Sequence, residues 1–220
     1  MSQKGIDSEL ARGWRASRVQ SCLDQGKNRQ LVDFLRQRFD DRFFEPIKVL
    51  RRAPGNTQGY GFAIMSLCSL LVESIQCFRL GLPSTYEGDL RKLHVHNPQP
   101  EFQVPKTEWQ KGHEVFVAFF SEPKHKELFP GISGAEFCKN IRNGLLHQAQ
   151  TKNGWTITTA QKRLYAPKKH AINRNLFAAR IEKAFRIYLR ELEKAPADGP
   201  LWKMARRKMW WLVKLSQPPN

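Results

Sequence analysis

The feature that most constrains the fold of this chain is the segment from Gly59 to Leu80, where apolar residues cover a wide helical face. Its only acidic residue is Glu73. Gly81 and Pro83 follow it, and both residue types are typical of positions just after a helix. A helix that is apolar over so much of its surface has to be covered by other helices. The segment therefore predicts the central helix of a bundle.

Helical periodicity and capping residues predict further helices on both sides of this segment. One is capped by Asp7 and Ser8 and ends near Gly26, and the others run from about Asn28, from Glu108 to Ser121, from Ser133 to about Thr151, from Asn173 to about Lys194, and from Leu201 to Leu215. Ser133 and Glu136 form a capping box. The helix that they start has a predicted buried stripe of Phe137, Ile141, Leu145 and Leu146. Residues 83–106 contain four prolines and predict a long loop.

One strand signal stands out from this helical pattern. The stretch from Gly154 to Thr159 is β-branched and roughly alternating, and Arg163-Leu164-Tyr165 is expected to pair with it as a short hairpin. The predicted fold class is therefore all-α, a helical bundle with one short β-hairpin between the later helices. We expect an N-terminal helical extension over 1–55, the bundle over 56–195 and a basic amphipathic C-terminal helix over 196–220.

The charge of the chain indicates the class of its partner. It has 37 Lys and Arg against 20 Asp and Glu, a net charge of +17. Residues 161–214 hold 15 of these basic residues and only 4 acidic ones. A surplus of this size repels itself unless phosphates or anionic lipids compensate it, so a polyanionic partner is predicted. With 40% hydrophobic and 11% aromatic residues, the chain is expected to fold.

Cysteine spacing and hydropathy exclude several other classes. The four Cys lie far apart without a CxxC pair, which predicts reduced core thiols and argues against a disulfide framework or a zinc site. The N-terminal residues lack the apolar stretch of a signal peptide. The longest apolar run, over 62–72, is about half a membrane span. We expect a cytoplasmic protein without stable membrane insertion, metal or cofactor.

The helix that begins at Ser133 carries the pattern Arg-Asn-x-x-x-His at Arg142, Asn143 and His147. This pattern resembles the motif of the HEPN superfamily (higher eukaryotes and prokaryotes nucleotide-binding domains). The resemblance extends loosely from about Gly59 to Lys194, and within that span only the six-residue motif is specific. It implies a metal-independent endoribonuclease that acts as a toxin or a defence or stress effector. It also implies a homodimer with facing motifs, and an antitoxin or regulatory protein as partner.

The residue types of the motif suit RNA cleavage. Attack of a ribose 2′-hydroxyl on the adjacent phosphate needs a proton carrier, and His147 fits that role near neutral pH. Arg142 offers a fixed charge and a planar fork that matches a phosphate. Asn143 lies four residues before His147, a spacing suited to orienting the imidazole or binding a phosphate oxygen. Arg142 and His147 lie about 140° apart on a straight helix, so either Gly144 loosens the turn, the Arg side chain reaches round, or a second chain completes the site.

Other charged residues are candidates for supporting roles. Lys139 lies one turn before Asn143 and is a candidate phosphate ligand, and Lys152, Lys168 and Lys169 extend a possible basic track for RNA. For the last three, we favour the interpretation as solvated surface charges over a role in binding RNA. Glu73 is expected either to contact the motif residues or to pair with another Lys or Arg.

Two alternatives stay open at this stage. The C-terminal helix has a stripe of apolar residues amid basic ones, so it either docks on the bundle, which we favour, or lies on a membrane surface. The alternative function is a non-catalytic HEPN-like module that binds RNA or nucleotide or regulates a partner.

Overall fold

The computed structural model describes residues 7–53, 58–85 and 112–217, and this part of the chain is mostly helical. The α-helices are α1 (Ala16–Asp24), α2 (Asn28–Phe39), α3 (Glu45–Arg52), α4 (Gln58–Leu80), α5 (Gly112–Ser121), α6 (Pro123–Leu128), α7 (Gly134–Phe137), α8 (Asn143–Gln148), α9 (Arg174–Lys194) and α10 (Pro200–Leu215). Widened π-helical turns over Asp40–Phe44 and Cys138–Arg142 join α2 to α3 and α7 to α8, and a 3-10 turn covers Pro167–Lys169.

Short strands form two small sheets. Strands β1 (Glu9–Ala11) and β2 (Trp14–Arg15) pair antiparallel. The second sheet holds β3 (Thr156–Thr158), β4 (Tyr165–Ala166) and β5 (Ala171–Asn173) in the order β3-β5-β4. In it, β5 is parallel to β3 and antiparallel to β4.

The chain divides into two compact units. The described residues of the first unit are 7–42, 77–85 and 188–217, and those of the second are 43–53, 58–76 and 112–187. Helices α4 and α9 contribute residues to both units. The division at residues 55 and 195 that the sequence indicates stays a prediction.

In the first unit, the apolar stripe of α10 is covered by its neighbours. Trp202 is 2% exposed, and its indole Nε1 donates to the carbonyl of Leu192 at 2.9 Å. The guanidinium of Arg207 donates to the carbonyls of Leu80 and Gly81 at 2.7 and 3.0 Å, which cap the end of α4. The predicted docking of the C-terminal helix is therefore confirmed.

The predicted helix from Asp7 to Gly26 is wrong in its first half, where the β1–β2 hairpin lies instead. Tertiary contacts override the local preference: Trp14 meets the ring of Phe34 at 5.6 Å between centroids, and the guanidinium of Arg38 donates to the carbonyl of Leu10. Asp7 nevertheless caps α1, because its carboxylate accepts hydrogen bonds from the backbone N–H and the hydroxyl of Ser17, at 2.9 and 2.6 Å.

The second unit is built on an aromatic core. The rings of Phe137 and Phe177 stack with centroids 5.0 Å apart and planes 5° from parallel. Phe116 of α5 stacks on Phe137 with ring centroids 6.0 Å apart, and the centroids of Phe129 and Phe177 lie 5.2 Å apart. These contacts fix α7, which leads into the motif, against α5 and α9.

Several predicted details of the second unit need correction. The strand near Arg163 does not pair directly with β3, because β5 lies between β3 and β4. Helical structure after Ser133 ends at Gln148 and not near Thr151. Leu146, predicted to be buried, is 41% exposed. The Asn173 cap is confirmed, since its Oδ1 accepts from the backbone N–H groups of residues 175 and 176 at 3.0 and 3.1 Å.

The apolar helix α4 forms as predicted. The helix over Gly59–Leu80 is long and apolar enough to span a membrane. An 18-residue window within it has a mean hydropathy of 1.6, but 61% of that window is buried in the structure. Burial of this extent is typical of a core helix in a soluble protein. The loop predicted over 83–106 lies, beyond residue 85, outside the described residues, as do residues 108–111 of the helix predicted from Glu108.

Candidate functional site

The motif lies on a helical segment whose start and core face are firmly held. The hydroxyl of Ser133 accepts a hydrogen bond from the backbone N–H of Glu136 at 3.3 Å, which is one of the two bonds of the predicted capping box. The reciprocal bond from the Glu136 side chain to the Ser133 N–H is not formed. Phe137 and Ile141 are completely buried. Between them begins the π-helical turn, which the N–H of Asn143 closes by donating to the carbonyl of Cys138. Such insertions are rare and are frequent at functional sites.

The widened turn alters the hydrogen-bond pattern before the motif. The N–H of Asn143 reaches back five residues to the carbonyl of Cys138, one residue further than in an α-helix. Lys139, expected to share a face with Asn143 at ordinary helical spacing, is exposed on the turn. The π-helical turn ends at Arg142, and α8 is regular from Asn143 onward, so the separation of about 140° between Arg142 and His147 remains.

Arg142 is oriented by two neighbours. Its Nη1 donates to Oδ1 of Asn143 at 3.0 Å, and its Nη2 lies 3.4 Å from Oε2 of Glu73, on α4. The side chains of Arg142 and Glu73 are 22% and 17% exposed. The Nε of Arg142 is buried without a hydrogen bond to the described residues. The guanidinium is thus directed, but its donors are not all used, and 3.4 Å is long for a charge-assisted bond.

Asn143 and His147 do not form the contact that the sequence allows. The Asn143 oxygen is turned to Arg142, so the amide orients the guanidinium. His147 is exposed, and its ring makes no hydrogen bond within the described residues. An exposed imidazole is accessible to a ligand, but nothing in this arrangement fixes its direction.

Gly144 has a different role from loosening the turn. After α8 the chain reverses at Ala149, which has a φ of 50°. The N–H of Gln150 then donates back to the carbonyl of Gly144 at 3.3 Å. A Cβ atom at Gly144 would lie 2.4 Å from the carbonyl oxygen of Gln150 and 3.2 Å from Cα of Thr151. The glycine therefore permits the chain to fold back against the motif helix.

Asn140 ties this reversed segment to the π-helical turn. Its backbone carbonyl accepts from the N–H of Lys152 at 2.9 Å, and its side-chain oxygen accepts from the amide of Asn153 at 2.8 Å. Asn140 is 6% exposed. Lys152 is consequently held close to the helix that carries the motif. The sequence signal for Asn140 was a polar residue on the buried side of an apolar helix, which burial usually permits only with a partner.

The candidate RNA-binding lysines after the motif lie on the second sheet. Lys168 and Lys169 are exposed in the 3-10 turn between β4 and β5. Trp155 is 3% exposed and stacks on Tyr165 at 5.2 Å with planes 14° apart, so it belongs to the core. The structure gives no contact between these lysines and Arg142 or His147.

The charged side chains in this part of the chain are all basic. Residues 137–181 contain nine Lys and Arg and no Asp or Glu. The acid that reaches the motif, Glu73, comes from α4. Burial raises the pKa of the Cys138 thiol; Arg142 opposes the shift and Glu73 adds to it. A protonated, buried thiol is a poor nucleophile or metal ligand, and within the described ranges no three His, Cys, Asp or Glu residues cluster as a metal site would require.

The structure contains a cavity and a buried arginine that the sequence does not indicate. The cavity, of about 720 Å³, lies in the second unit and is bordered by β3, the start of α4 and Arg174. Arg174 directly follows the Asn173 cap and is 7% exposed. In the sequence Arg174 stands between two polar residues, Asn173 and Asn175, so no local signal marks it as buried.

Comparisons with known proteins found no relative of this chain. No family model, no curated protein and no solved structure matches the chain. The candidate site therefore stands on the geometry and charges of its own residues.

Proposed function

We propose that this protein is a metal-independent endoribonuclease of HEPN type. The observation that carries the proposal is the Arg142, Asn143 and His147 arrangement on one helix, with Glu73 and Asn143 directing the guanidinium and with His147 open to solvent. The surrounding run of nine basic residues without an acid favours an RNA phosphate chain as substrate.

In the proposed reaction the ribose 2′-oxygen forms a bond to the adjacent phosphorus, and the bond from phosphorus to the leaving 5′-oxygen breaks. The products are a 2′,3′-cyclic phosphate and a 5′-hydroxyl end. The 2′-hydroxyl loses a proton and the leaving 5′-oxygen gains one, and His147 is the residue that carries a proton in this exchange. Arg142 stabilises the negative charge that grows on the phosphoryl oxygens. Glu73 and Asn143 act as positioning residues for Arg142. Neither the bond changes nor these roles call for a metal ion.

The proposed active form is a homodimer. Because Arg142 and His147 diverge by about 140° on their helix, one chain does not aim both at a single phosphate. Two copies with facing motif helices bring Arg142 of one protomer toward His147 of its partner. Lys139, Lys152, Lys168 and Lys169 are proposed to hold the RNA on either side of the site.

The proposed setting is that of a toxin or a defence or stress effector in the cytoplasm, held in check by an antitoxin or another regulatory protein. This part of the proposal rests on the resemblance of the motif alone.

A second candidate function is a non-catalytic module that binds RNA or nucleotide. One observation favours it: Arg142 already has two protein partners, whereas nothing orients the His147 ring within the described residues.

Cleavage of total RNA in excess EDTA separates the two candidates. The wild type is compared with His147→Ala and Arg142→Ala, with His113→Ala as the matched control because His113 is also exposed but lies on α5. Cleavage that both motif variants lose and the control keeps supports the enzyme. Binding without cleavage supports the module, and cleavage unchanged in the motif variants refutes the assigned site.

The 2′-hydroxyl step is tested with a short RNA that contains one 2′-deoxynucleotide at the main cleavage position. We expect cleavage there to stop and cleavage elsewhere to continue. Unchanged cleavage at the deoxy position would contradict the proposed chemistry.

A further inference from the structure

The outer edge of strand β3 is open in the part of the chain that the structure describes. β3 lies at the end of its sheet, so only one of its sides is paired, by β5. In a parallel ladder, alternate residues of a strand bond to a given neighbour. The N–H of Thr156 donates to the carbonyl of His170 at 2.9 Å, which places the N–H and the carbonyl of Ile157 on the opposite side. Neither of these Ile157 groups has a hydrogen bond to a described residue.

The edge of β3 has little of the protection that edge strands usually have, which is a charge, a proline, a bulge or a covering segment. Its residues are Thr156, Ile157 and Thr158, and none of them is charged. One protecting contact is present, because the hydroxyl of Thr151 donates to the carbonyl of Trp155. This contact satisfies the edge just before β3, and the backbone groups of Ile157 stay open.

The cavity of about 720 Å³ lies beside this edge. Residues 156–159 line it together with Gly59 and Phe62 of α4. The side chain of Ile157 packs on the same helix, since a Cβ atom at Gly61 would lie 3.3 Å from its Cγ2. An extended segment of three residues is about 10 Å long, and the volume is in the range of ligand sites. The cavity therefore has room for a short added strand, with an apolar wall at Phe62.

Three cations flank β3 in the sequence. Lys152 precedes it by four residues, and Lys162 and Arg163 follow it in the connection to β4. Lys162 and Arg163 are exposed, and none of the three forms an ion pair with a described residue. No acidic residue occurs over 137–181. These β3 cations therefore complement an acidic ligand.

The open edge favours a peptide as that ligand. Ile157 offers one donor and one acceptor, and a peptide backbone supplies the complement of both, whereas an RNA phosphate only accepts. We propose that β3 binds an extended acidic segment of a partner protein by β-strand addition. The segment bonds to the backbone of Ile157, places an apolar side chain against Phe62 and directs acidic side chains to the β3 cations. The surface includes neither Arg142 nor His147, so its test does not depend on the proposed ribonuclease.

Fluorescence anisotropy on the full chain tests this surface with a fluorescein-labelled heptapeptide of alternating glutamate and valine. One control peptide has the same side chains and a methyl group on every backbone nitrogen, and another has lysine in place of glutamate. We expect saturable binding of the acidic peptide at low salt, and binding of both controls that is weaker by about tenfold or more. Equal affinity of the methylated peptide, or no saturable binding of the acidic one, overturns the proposal.

Ile157→Pro removes the open N–H. It leaves the bonds from Thr156 and Thr158 to β5 in place, and a proline is tolerated in an edge strand when its missing N–H faces outward. Ile157→Val keeps the N–H and is the matched control. Proline should weaken binding of the acidic peptide by about tenfold, and valine should leave it nearly unchanged. Equal affinity of the two folded variants overturns the assignment.

Amide hydrogen exchange locates the peptide without a substitution. Binding should slow exchange at Ile157 and leave exchange at Thr156 unchanged, because the Thr156 N–H is already bonded. This measurement decides if Ile157→Pro does not fold. Protection elsewhere in the chain with none at Ile157 overturns the assignment of the edge.

The charges are tested by the double variant Lys162→Gln, Arg163→Gln. Lys126→Gln, Lys183→Gln is the matched control, at exposed positions of the same unit. The first pair should weaken peptide binding by about threefold or more at low salt, and by less at high salt. Equal effects of the two pairs would overturn the acidic character of the partner.

Two other occupants give distinct results, and either result overturns the proposal. A pentaribonucleotide that displaces the peptide, and whose own binding Ile157→Pro weakens, would assign the edge to RNA. A wild-type dimer that Ile157→Pro converts to a monomer, and Ile157→Val does not, would assign it to a second copy of the chain.

Discussion

The guanidinium of Arg142 lies 3.4 Å from the carboxylate of Glu73, measured from Nη2 to Oε2, across 69 residues of sequence. The contact joins the motif to α4 and leaves the two side chains 22% and 17% exposed. The direction of the Arg142 guanidinium therefore depends on the position of α4, which carries Glu73.

Glu73→Gln is expected to lower the free energy of unfolding by about 1–2 kcal/mol, because a partly buried arginine loses its charged partner. Urea denaturation measures this change. Under the proposed function, RNA cleavage should fall as well, since Arg142 is less well directed. Glu127→Gln is the control, because Glu127 is an exposed glutamate on α6. Equal effects of the two substitutions would show that the Arg142 contact contributes little.

Gly144→Ala is expected to lower the free energy of unfolding by about 1–3 kcal/mol, the usual cost of overpacking. The reason is the 2.4 Å approach of the new Cβ to the carbonyl oxygen of Gln150. Replacing glycine by alanine in a helix normally stabilises it by up to about 1 kcal/mol. Gly59→Ala, on α4 and with nothing within 4 Å of the added Cβ, should show that normal sign. Stabilisation by Gly144→Ala would contradict the close approach.

The hydrogen bond between Asn140 and Asn153 is tested by a double-mutant cycle. Asn140→Ala removes the acceptor, and Asn153→Gly removes the donor while tolerating the φ of 52° at that position. We expect a coupling energy of about 1 kcal/mol, because both groups take part in one bond. Hydrogen exchange of the Lys152 amide should also accelerate in either variant. A coupling energy near zero would indicate that the bond does not hold the reversed segment.

The cap that Asp7 places on α1 makes stability depend on pH. The hydrogen bonds from the hydroxyl and the N–H of Ser17 lower the pKa of the Asp7 carboxyl below its ordinary 3.8. A carboxyl with a depressed folded-state pKa stabilises the fold above its unfolded pKa, and this contribution is lost as the pH falls through the folded-state value. Asp7→Asn should therefore be less stable than the wild type at about pH 6, and the difference should shrink as the pH falls below the ordinary pKa of an aspartate. Urea denaturation over a series of falling pH values gives the comparison, and a difference that does not decrease with pH would contradict this account.

Helices that are marked by an apolar face or by capping residues are predicted from local sequence. The apolar face of α4, the Ser133 cap and the Asn173 cap each follow from a few neighbouring residues. The structure confirms the α4 helix and the Asn173 cap, and it contains one of the two bonds of the capping box at Ser133. Docking of α10 follows from the same kind of pattern, since its apolar stripe is buried.

The predictions that are wrong concern elements whose stability depends on residues far away in the sequence. The β1–β2 hairpin relies on contacts with Phe34 and Arg38 that local propensity does not contain. Strand β5 has only three residues before a helix cap, too few for an alternating pattern. For the candidate site, the sequence identifies Arg142, Asn143 and His147 and names Glu73 as a possible contact of the motif. It does not indicate the π-helical turn before them, nor which of the two expected contacts Glu73 makes.

The backbone contact between Gly144 and Gln150 makes the motif helix and the cavity mechanically continuous. Gln150 and Thr151 border the cavity, and the same two residues press on Gly144, three positions before His147. Since no space remains between them, the reversed segment does not approach the helix without displacing α8. A substitution that moves Gln150 or Thr151 toward Gly144 would therefore also shift α8, the helix that carries His147.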